Sequence, residues 1–273
     1  MATIIPTEIS INPDLRFAVN NLFAEPPIFV DATAPEALDK VLQDPLALAV
    51  LSLHQIPLQR SETIAVGALV GRTPTAYTLI IHPEYLQKKA VFRLEKEVTV
   101  LTDSLLASRQ LQHYRPDVKV RQSEAPLSDL HQQLSDGSCA ALLLSAYRLE
   151  QNPDSWQQFV RLQLHPREFV PEPGLGVPAV LVQANNTLYR KHFLPLHDAA
   201  VAELTNVERK VLQLIPQAEQ GSTGVYCSKD EAGNYHVWAV TAQEVCRYVQ
   251  VSSSTTFGLA ERVAEALLAS ETT

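Results

Sequence analysis

Residues 171–183, PEPGLGVPAVLVQ, constrain the fold more than any other stretch, because a Gly/Pro turn leads there directly into an apolar run. Proline fixes φ and glycine permits positive φ, so the chain is expected to turn sharply at this point. The Val/Leu run that follows is typical of a buried strand. The chain is therefore expected to turn here and re-enter a core.

The stretches on either side predict alternating strands and helices. Residues 136–149, DGSCAALLLSAYRL, indicate a turn and a buried strand, and residues 199–214 carry apolar residues at helical spacing. Such alternation predicts parallel sheets covered by helices. The other predicted strands are residues 28–31, 46–51, 64–70, 78–81, 98–101, 119–121, 224–226 and 235–241. The other predicted helices are residues 35–42, 104–112 and 127–134, with a final helix that carries Leu259, Val263 and Leu267 on its apolar face.

Composition excludes several classes of function. The 273 residues are 46% hydrophobic, enough for one large domain or two to three small ones, and no apolar run is long enough to span a bilayer. The first residues show no signal-peptide pattern, and only three cysteines occur, so a cytoplasmic protein is expected. A net charge of -8 without a Lys/Arg cluster argues against nucleic acid as a partner, and eight scattered histidines argue against a metal site.

Four motifs follow one another along the chain. Residues 115–118 match R-P-D-[LV], residues 136–149 match a D-G-x-x-D-A-[IL]-[IL]-L-A strand, residues 171–183 match a P-A-x-G-Q-G-A-L-A-I-E return, and residues 206–212 match a V-x-A-E-R-x-x-L helix. In this order and spacing the chain resembles the porphobilinogen deaminase (hydroxymethylbilane synthase) family. That family joins four porphobilinogens into a linear tetrapyrrole.

The resemblance implies an α/β fold of three domains. Two are hinged domains of periplasmic-binding-protein type with parallel or mixed sheets, and the third is a small α+β domain. The implied ranges are 1–97 with 175–197, then 98–174, then 198–273. The family's N-terminal R-x-G-x-R-x-S-x-L-A segment has no match here, so the first domain is expected to have a truncated or remodelled N-terminus whose leading strand is lost or remodelled. Residues 78–81 are expected to return to the first sheet.

The resemblance also shows which residues of the family reaction are replaced. Gln55 stands at the position of the catalytic aspartate, and Glu219 stands at the position of the cysteine that carries a dipyrromethane cofactor through a thioether. A carboxylate cannot form that thioether, and an amide carries no charge to stabilise a cationic intermediate. Leu106 and Ala107 replace two arginines that pair with substrate carboxylates. No catalytic residue of the family is therefore expected to be retained.

A few residues remain as candidates for cofactor or ligand binding. No cofactor is expected, and dipyrromethane is expected only if Cys227, the nearest thiol, substitutes for the lost one. The candidate cleft residues are Ser52, Ser104, Arg109, Arg121 and Arg148.

Three functions stay open. The first is a family homologue associated with tetrapyrrole and haem biosynthesis whose catalysis is impaired, a pseudoenzyme with a small anionic ligand or a tetrapyrrole-pathway protein as partner. The second is a divergent but active synthase, and the third is a cytoplasmic small-ligand binding module. An active transferase would need a thiol for the cofactor and a substitute for the lost aspartate, and Cys227 and Glu219 are the nearby candidates.

Overall fold

The computed structural model of the protein describes residues 8–12, 15, 28–59, 61–72, 77–150 and 153–269. The first elements in chain order are β1 (Glu8–Ile11), β2 (Ile28–Asp31), α1 (Ala34–Gln43), β3 (Ala49–Ser52), β4 (Ile64–Leu69), β5 (Tyr77–Ile81), β6 (Thr99–Thr102), α2 (Leu105–Tyr114), β7 (Lys119–Gln122), α3 (Leu127–Ser135) and β8 (Ala141–Ser145). The later elements are α4 (Ala146–Leu149), β9 (Val160–Gln163), β10 (Pro178–Gln183), α5 (Thr187–Phe193), α6 (Ala199–Leu214), α7 (Gln217–Gln220), β11 (Thr223–Lys229), β12 (Tyr235–Ala242), β13 (Cys246–Ser253) and α8 (Leu259–Ala269).

The first compact unit, residues 1–74 and 174–206, contains a five-stranded mixed sheet in the order β2-β1-β3-β10-β4. Strand β1 runs parallel to β2 and β3, whereas β10 runs antiparallel to β3 and β4. All six residues of β10 are buried, as expected for a strand with neighbours on both sides. Side chains from α1 and the sheet form one apolar core with Val201 at its border.

The Gly/Pro turn before β10 has the backbone that its sequence predicts. Gly174 and Gly176 both have positive φ, at 80° and 72°. A Cβ on Gly174 would lie 2.9 Å from Cγ of Leu53, so a larger residue there would collide with the core as well as strain the backbone. The turn therefore requires glycine at this position.

The second unit, residues 75–173 and 207–273, contains a second five-stranded mixed sheet in the order β7-β6-β8-β5-β9. Strand β6 runs parallel to β7 and β8, and β5 runs antiparallel to β8 and β9. Leucines of β8 and α3 pack with Trp156 and Phe159 in its core.

The same unit holds a three-stranded antiparallel sheet, β11-β12-β13. The apolar side chains of Val170, Trp238 and Val240 pack with Leu106 of α2 in a second core cluster. Helix α8 packs on β12 and β13, and its Leu259, Val263 and Leu267 are buried. The predicted fold class is confirmed: an α/β protein with two mixed sheets and a small three-stranded sheet.

Two expectations from the sequence are wrong. Residues 77–81 do not return to the first sheet, because β5 pairs with β8 and β9 of the second sheet. The first sheet has not lost its leading strand either, since Glu8–Ile11 forms β1 between β2 and β3. Residues 16–27, the rest of the N-terminal segment, lie outside the described residues.

The two compact units divide the chain at 74/75, at 173/174 and within α6 at 206/207. The three predicted domain ranges stay a prediction. Among the residues that the structure describes, no helix has the length and hydropathy to cross a bilayer. Over the same residues, no group of three or more His, Cys, Asp or Glu side chains is placed to hold a metal ion.

Candidate functional site

In the first unit, the candidate residues lie in the turn that follows β3. Ser52 is the last residue of β3 and is fully buried, and a 3-10 turn follows at Leu53–Gln55. The Ser52 backbone N–H donates to Oε1 of Gln55 at 3.2 Å, as in a helix-capping arrangement. The hydroxyl of Ser52 lies 2.7 Å from Nδ1 of His54. Ser52 and Gln55 therefore meet at one strand end, where they stabilise the turn.

Gln55 also receives a hydrogen bond from the end of β1. Nδ2 of Asn12 donates to Oε1 of Gln55 at 2.9 Å. The side-chain oxygen of Gln55 thus accepts from two donors, and both side chains of the pair are neutral. An aspartate at this position would bring a negative charge, which the amide does not supply.

In the second unit, the corresponding strand ends carry charged groups. Arg148 of α4 donates from its guanidinium to the carboxylate of Asp103, the residue that follows β6. Ser104 comes next in the chain and caps α2, because its hydroxyl oxygen accepts from the backbone N–H of Ala107 at 3.0 Å. The candidates Arg148 and Ser104 therefore lie near each other at the strand ends of the second sheet, because Arg148 binds Asp103 and Ser104 is the next residue in the chain.

The sequence did not indicate the buried acid at this edge. Both Tyr77, the first residue of β5, and Ser104 donate hydroxyl hydrogen bonds to the carboxyl group of Glu172. The Tyr77 hydroxyl also contacts the Ser104 hydroxyl at 3.1 Å. The only sequence signal was a carboxylate between two prolines in an otherwise apolar turn.

Burial governs the protonation of this group. It raises the pKa of the Glu172 carboxyl, and the hydrogen bonds from Ser104 and Tyr77 oppose that shift. Burial, together with the neighbouring Glu172, raises the pKa of Tyr77 well above its usual value. Chemically, the three residues can hold and pass a proton, but they offer no cation for an anionic ligand.

Leu106 and Ala107, expected to stand in place of two family arginines, are both buried. Leu106 and Ala107 are 1% and 0% exposed, and Leu106 packs against Val170 and Trp238 in the core. Leu106 therefore belongs to a packed core, and its correspondence to a family arginine stays a prediction.

The two remaining candidate arginines lie apart from the Arg148–Asp103 pair. Nη1 of Arg109 donates to the backbone carbonyl of Ala242 at 2.7 Å, which ties α2 to the three-stranded sheet. Arg121 is an exposed residue of β7, the terminal strand of its sheet, where it pairs with Leu101.

All three cysteines are buried thiols outside any disulfide. Cys227 lies in β11 with none of its surface exposed, and its backbone N–H donates to Oε1 of the fully buried Glu208 at 2.9 Å. Cys139 and Cys246 are 2% and 9% exposed. Burial raises the pKa of the Cys139 thiol to about 11 and also raises that of Cys246, so neither thiol is readily ionised.

Glu219, at the family's cofactor position, lies in α7 with part of its surface exposed. Its backbone carbonyl accepts from the hydroxyls of Ser222 and Thr223 at 3.0 and 2.9 Å. The residue therefore helps to begin β11, while its side chain is a carboxylate without sulfur.

The R-P-D motif has a structural role. Arg115 is 5% exposed, and its Nε and Nη2 donate to the carboxylate of Asp117, each at 2.7 Å. The same guanidinium donates to the backbone carbonyls of Val91, Leu94 and Glu95. The motif thus fixes the loop before β6.

Comparison with known proteins gives one consistent result. A family profile described as "Porphobilinogen deaminase, dipyromethane cofactor binding domain" matches residues 31–191, more than half of the chain. The porphobilinogen deaminase of Syntrophobacter fumaroxidans is 25% identical over 180 residues, covering 66% of this chain and 56% of that protein. The porphobilinogen deaminase of Chloroherpeton thalassium is 25% identical over 199 residues, covering 72% and 60%. The aligned regions thus span less than two thirds of these relatives.

Among solved structures, a regulatory domain of OxyR2 from Vibrio vulnificus aligns with a TM-score of 0.45 at 14% identity. The alignment covers 69% of this chain and 91% of that domain. A likeness at this level supports no statement about function.

Proposed function

Since the chain belongs to the porphobilinogen deaminase family, we propose that it is a catalytically impaired member that binds a small anionic ligand of the tetrapyrrole pathway. It does not prime or extend a pyrrole chain. The family scaffold is kept, while the residues that would perform the chemistry are replaced or buried.

The burial of every thiol carries this proposal. Attachment of dipyrromethane needs a thiolate that can reach the cofactor, and a two-ring group needs space beyond the sulfur. Cys227, the nearest thiol to the family's position, has 0% of its surface exposed and lies inside a paired strand. The residues present therefore do not fit the cofactor.

The neutral amide at the family's aspartate position supports the same conclusion. A preorganised charge that stabilises a developing cation is commonly worth about 3 to 4 kcal/mol in an enzyme transition state. Gln55 offers a neutral oxygen that already accepts from Asn12 and Ser52. A methylene-pyrrole cation would find no anion in this turn.

Arg148 is the basis for the anionic ligand. It is the one candidate arginine that the structure places at a strand end beside Ser104 and Asp103. Guanidinium groups pair well with carboxylates, and porphobilinogen carries two of them. Asp103 already occupies this guanidinium, so ligand binding competes with an internal carboxylate and is expected to be weak.

The proposal is tested by incubating the purified chain with porphobilinogen and following its consumption with Ehrlich's reagent. Consumption is expected to be no faster than in buffer alone. In a second sample, calorimetric titration with porphobilinogen is expected to show weak saturable binding. Absence of binding would refute the ligand part of the proposal while leaving the loss of catalysis intact.

Two cysteine variants identify the source of any turnover. Cys227→Ser removes the thiol nearest to the family's position, and Cys139→Ser is the matched control for loss of a buried thiol. Consumption that persists in Cys139→Ser and disappears in Cys227→Ser would overturn the proposal and establish an active enzyme.

A further inference from the structure

The pairing of β4, a terminal strand of the first sheet, with β10 has a shift in register. The pairing of β9, the terminal strand at the same end of the second sheet, with β5 has none. Ala68 pairs with Val180 and Val66 pairs with Leu181, so Gly67 has no partner of its own and forms a β-bulge. Bulges at a sheet edge redirect the backbone, and glycine in a strand often marks a close approach by another group. The strand is therefore bent at Gly67.

The bulge opens onto a cavity of about 400 Å³ within the first unit. This volume lies within the range of ordinary small-molecule sites, roughly 300 to 1,000 Å³. The cavity is bordered by β4, by α5 and by the segment that follows α5. Its lining residues are Val66, Gly67, Thr187, Arg190, Lys191, Leu194 and His197.

The lining is cationic in a chain whose net charge is -8. It contains Arg190 and Lys191 and no acidic residue. Within the described part of the chain, neither of these two side chains forms a salt bridge. Two adjacent unneutralised cations at a cavity favour an anionic ligand.

His197 adds a hydrogen-bond donor. Its Nδ1 accepts from the backbone N–H of Leu69 at 3.1 Å, which caps the open edge of β4. A neutral imidazole whose Nδ1 accepts carries its proton on Nε2. The ring that lines the cavity is thus in a tautomer that suits an anion.

We propose that this cavity binds a small organic anion that joins an apolar body to a phosphate or carboxylate. Arg190 and Lys191 bind the anionic group, and the apolar body lies against Val66 and Leu194. The site shares no residue with the strand ends discussed above, so it stands independently of the proposed function.

The test uses phenyl phosphate, which has both an apolar ring and an anionic group, titrated into the full chain by calorimetry. Saturable binding at low-millimolar concentration or better is expected, with inorganic phosphate binding more weakly because it lacks the ring. In Arg190→Gln/Lys191→Gln the affinity is expected to fall by about tenfold or more, as for loss of charge-assisted hydrogen bonds. Both residues are exposed, so the variant is expected to fold normally, which circular dichroism can check.

Arg161→Gln is the matched control, because Arg161 is an exposed cation on β9, the terminal strand of the second sheet. Its affinity for phenyl phosphate should equal that of the wild type. No saturable binding to the wild type, or equal losses in the two variants, would overturn the proposal.

Discussion

The two five-stranded sheets share one topology and differ in the side chains at their strand ends. Each has three parallel strands, of which the first in the chain lies between the other two, then a fourth strand that runs antiparallel to both of its neighbours. The orders are β2-β1-β3-β10-β4 in one unit and β7-β6-β8-β5-β9 in the other. In each sheet the fourth strand comes from a different half of the chain than its neighbours. Strand β5 pairs with β8 in the second sheet, and strand β10 pairs with β3 in the first.

Equivalent positions in the two sheets carry different chemistry. Asn12 directly follows β1, and Asp103 directly follows β6. Gln55 lies three residues after the end of β3, and Arg148 lies three residues after the end of β8. The first pair is joined by a neutral hydrogen bond of 2.9 Å, and the second pair by a salt bridge.

This difference teaches that topology and chemistry are set by separate residues. Buried apolar runs of β3 and β8 determine which strands lie in the middle of each sheet. The residues just beyond those runs determine the charge at the strand ends. Asn12 and Gln55 carry no charge, and the charges of Arg148 and Asp103 compensate each other. The same scaffold can therefore carry different chemistry at its strand ends.

The largest effect is expected from returning an arginine to the hydrocarbon of the second unit. Leu106→Arg would bury a guanidinium among Val170 and Trp238, at a cost of about 3 to 5 kcal/mol in the free energy of unfolding. Denaturant titration measures this. Leu105→Arg, at a neighbouring residue that is 40% exposed, should change stability by no more than about 0.5 kcal/mol. Equal stabilities would mean that the side chain at residue 106 reaches solvent, contrary to the burial of Leu106.

Tyr77, Ser104 and Glu172 form the acid cluster of the second unit. Removing one hydroxyl from it should lower the free energy of unfolding more than removing the side-chain amide of Asn12 in the first unit. Tyr77→Phe keeps the edge-to-face contact with Phe169 and leaves the Glu172 carboxyl short of one donor, which costs about 1 to 3 kcal/mol. Asn12→Ala removes a neutral hydrogen bond to Gln55, worth about 0.5 to 1.5 kcal/mol. The two free energies of unfolding at neutral pH give the comparison, and a larger loss in Asn12→Ala would reverse it.

The pH dependence of stability should identify the buried acid. Because the folded pKa of Glu172 is raised, the folded state holds this proton to higher pH than the unfolded state does. The contribution of Glu172 to stability is therefore greatest at acidic pH and falls as pH rises above about 4.3, the ordinary glutamate value, through the raised pKa. The difference in free energy of unfolding between wild type and Glu172→Gln should decline with pH. A difference that grows with pH would show a carboxylate stabilised by its hydroxyl donors.

The smallest effect is expected from exchanging the acid and the amide between the two strand-end pairs. Asp103→Asn frees Arg148 from its internal carboxylate and should strengthen porphobilinogen binding by up to about fivefold, the range for one partly exposed ion pair. Asn12→Asp adds an acid beside the neutral amide of Gln55 and should give no gain. Calorimetric titration of both variants measures this, and a loss of affinity in Asp103→Asn would contradict the role of Arg148.

Much of the fold could be predicted from the sequence because its signals are local. The buried run of β8 and the helical spacing of α6 identify those elements within a few residues. Sheet membership is not local: the buried run of β5 suits either sheet, and only pairing with β8 decides it. Membership of β1 in the first sheet likewise depends on pairing with β2 and β3, which are distant in the chain.

The candidate site was predictable only in part, for the same reason. Substitutions such as Gln55 and Glu219 could be placed by motif order alone. The acid cluster could not, because Tyr77 and Glu172 are 95 residues apart in the chain and meet only in the fold. Likewise, the sequence indicated Arg109 as a candidate cleft residue, and its hydrogen bond to the backbone carbonyl of Ala242 could not be foreseen because the two residues are 133 positions apart.

The central claim, that this chain does not carry the family's covalent cofactor, is tested most directly by its intact mass. The protein should be purified from a host that makes porphobilinogen and measured beside Cys227→Ser. The account predicts the mass of the unmodified chain for the wild type. A mass excess equal to one dipyrromethane, absent from Cys227→Ser, would contradict it and return the chain to the active synthases.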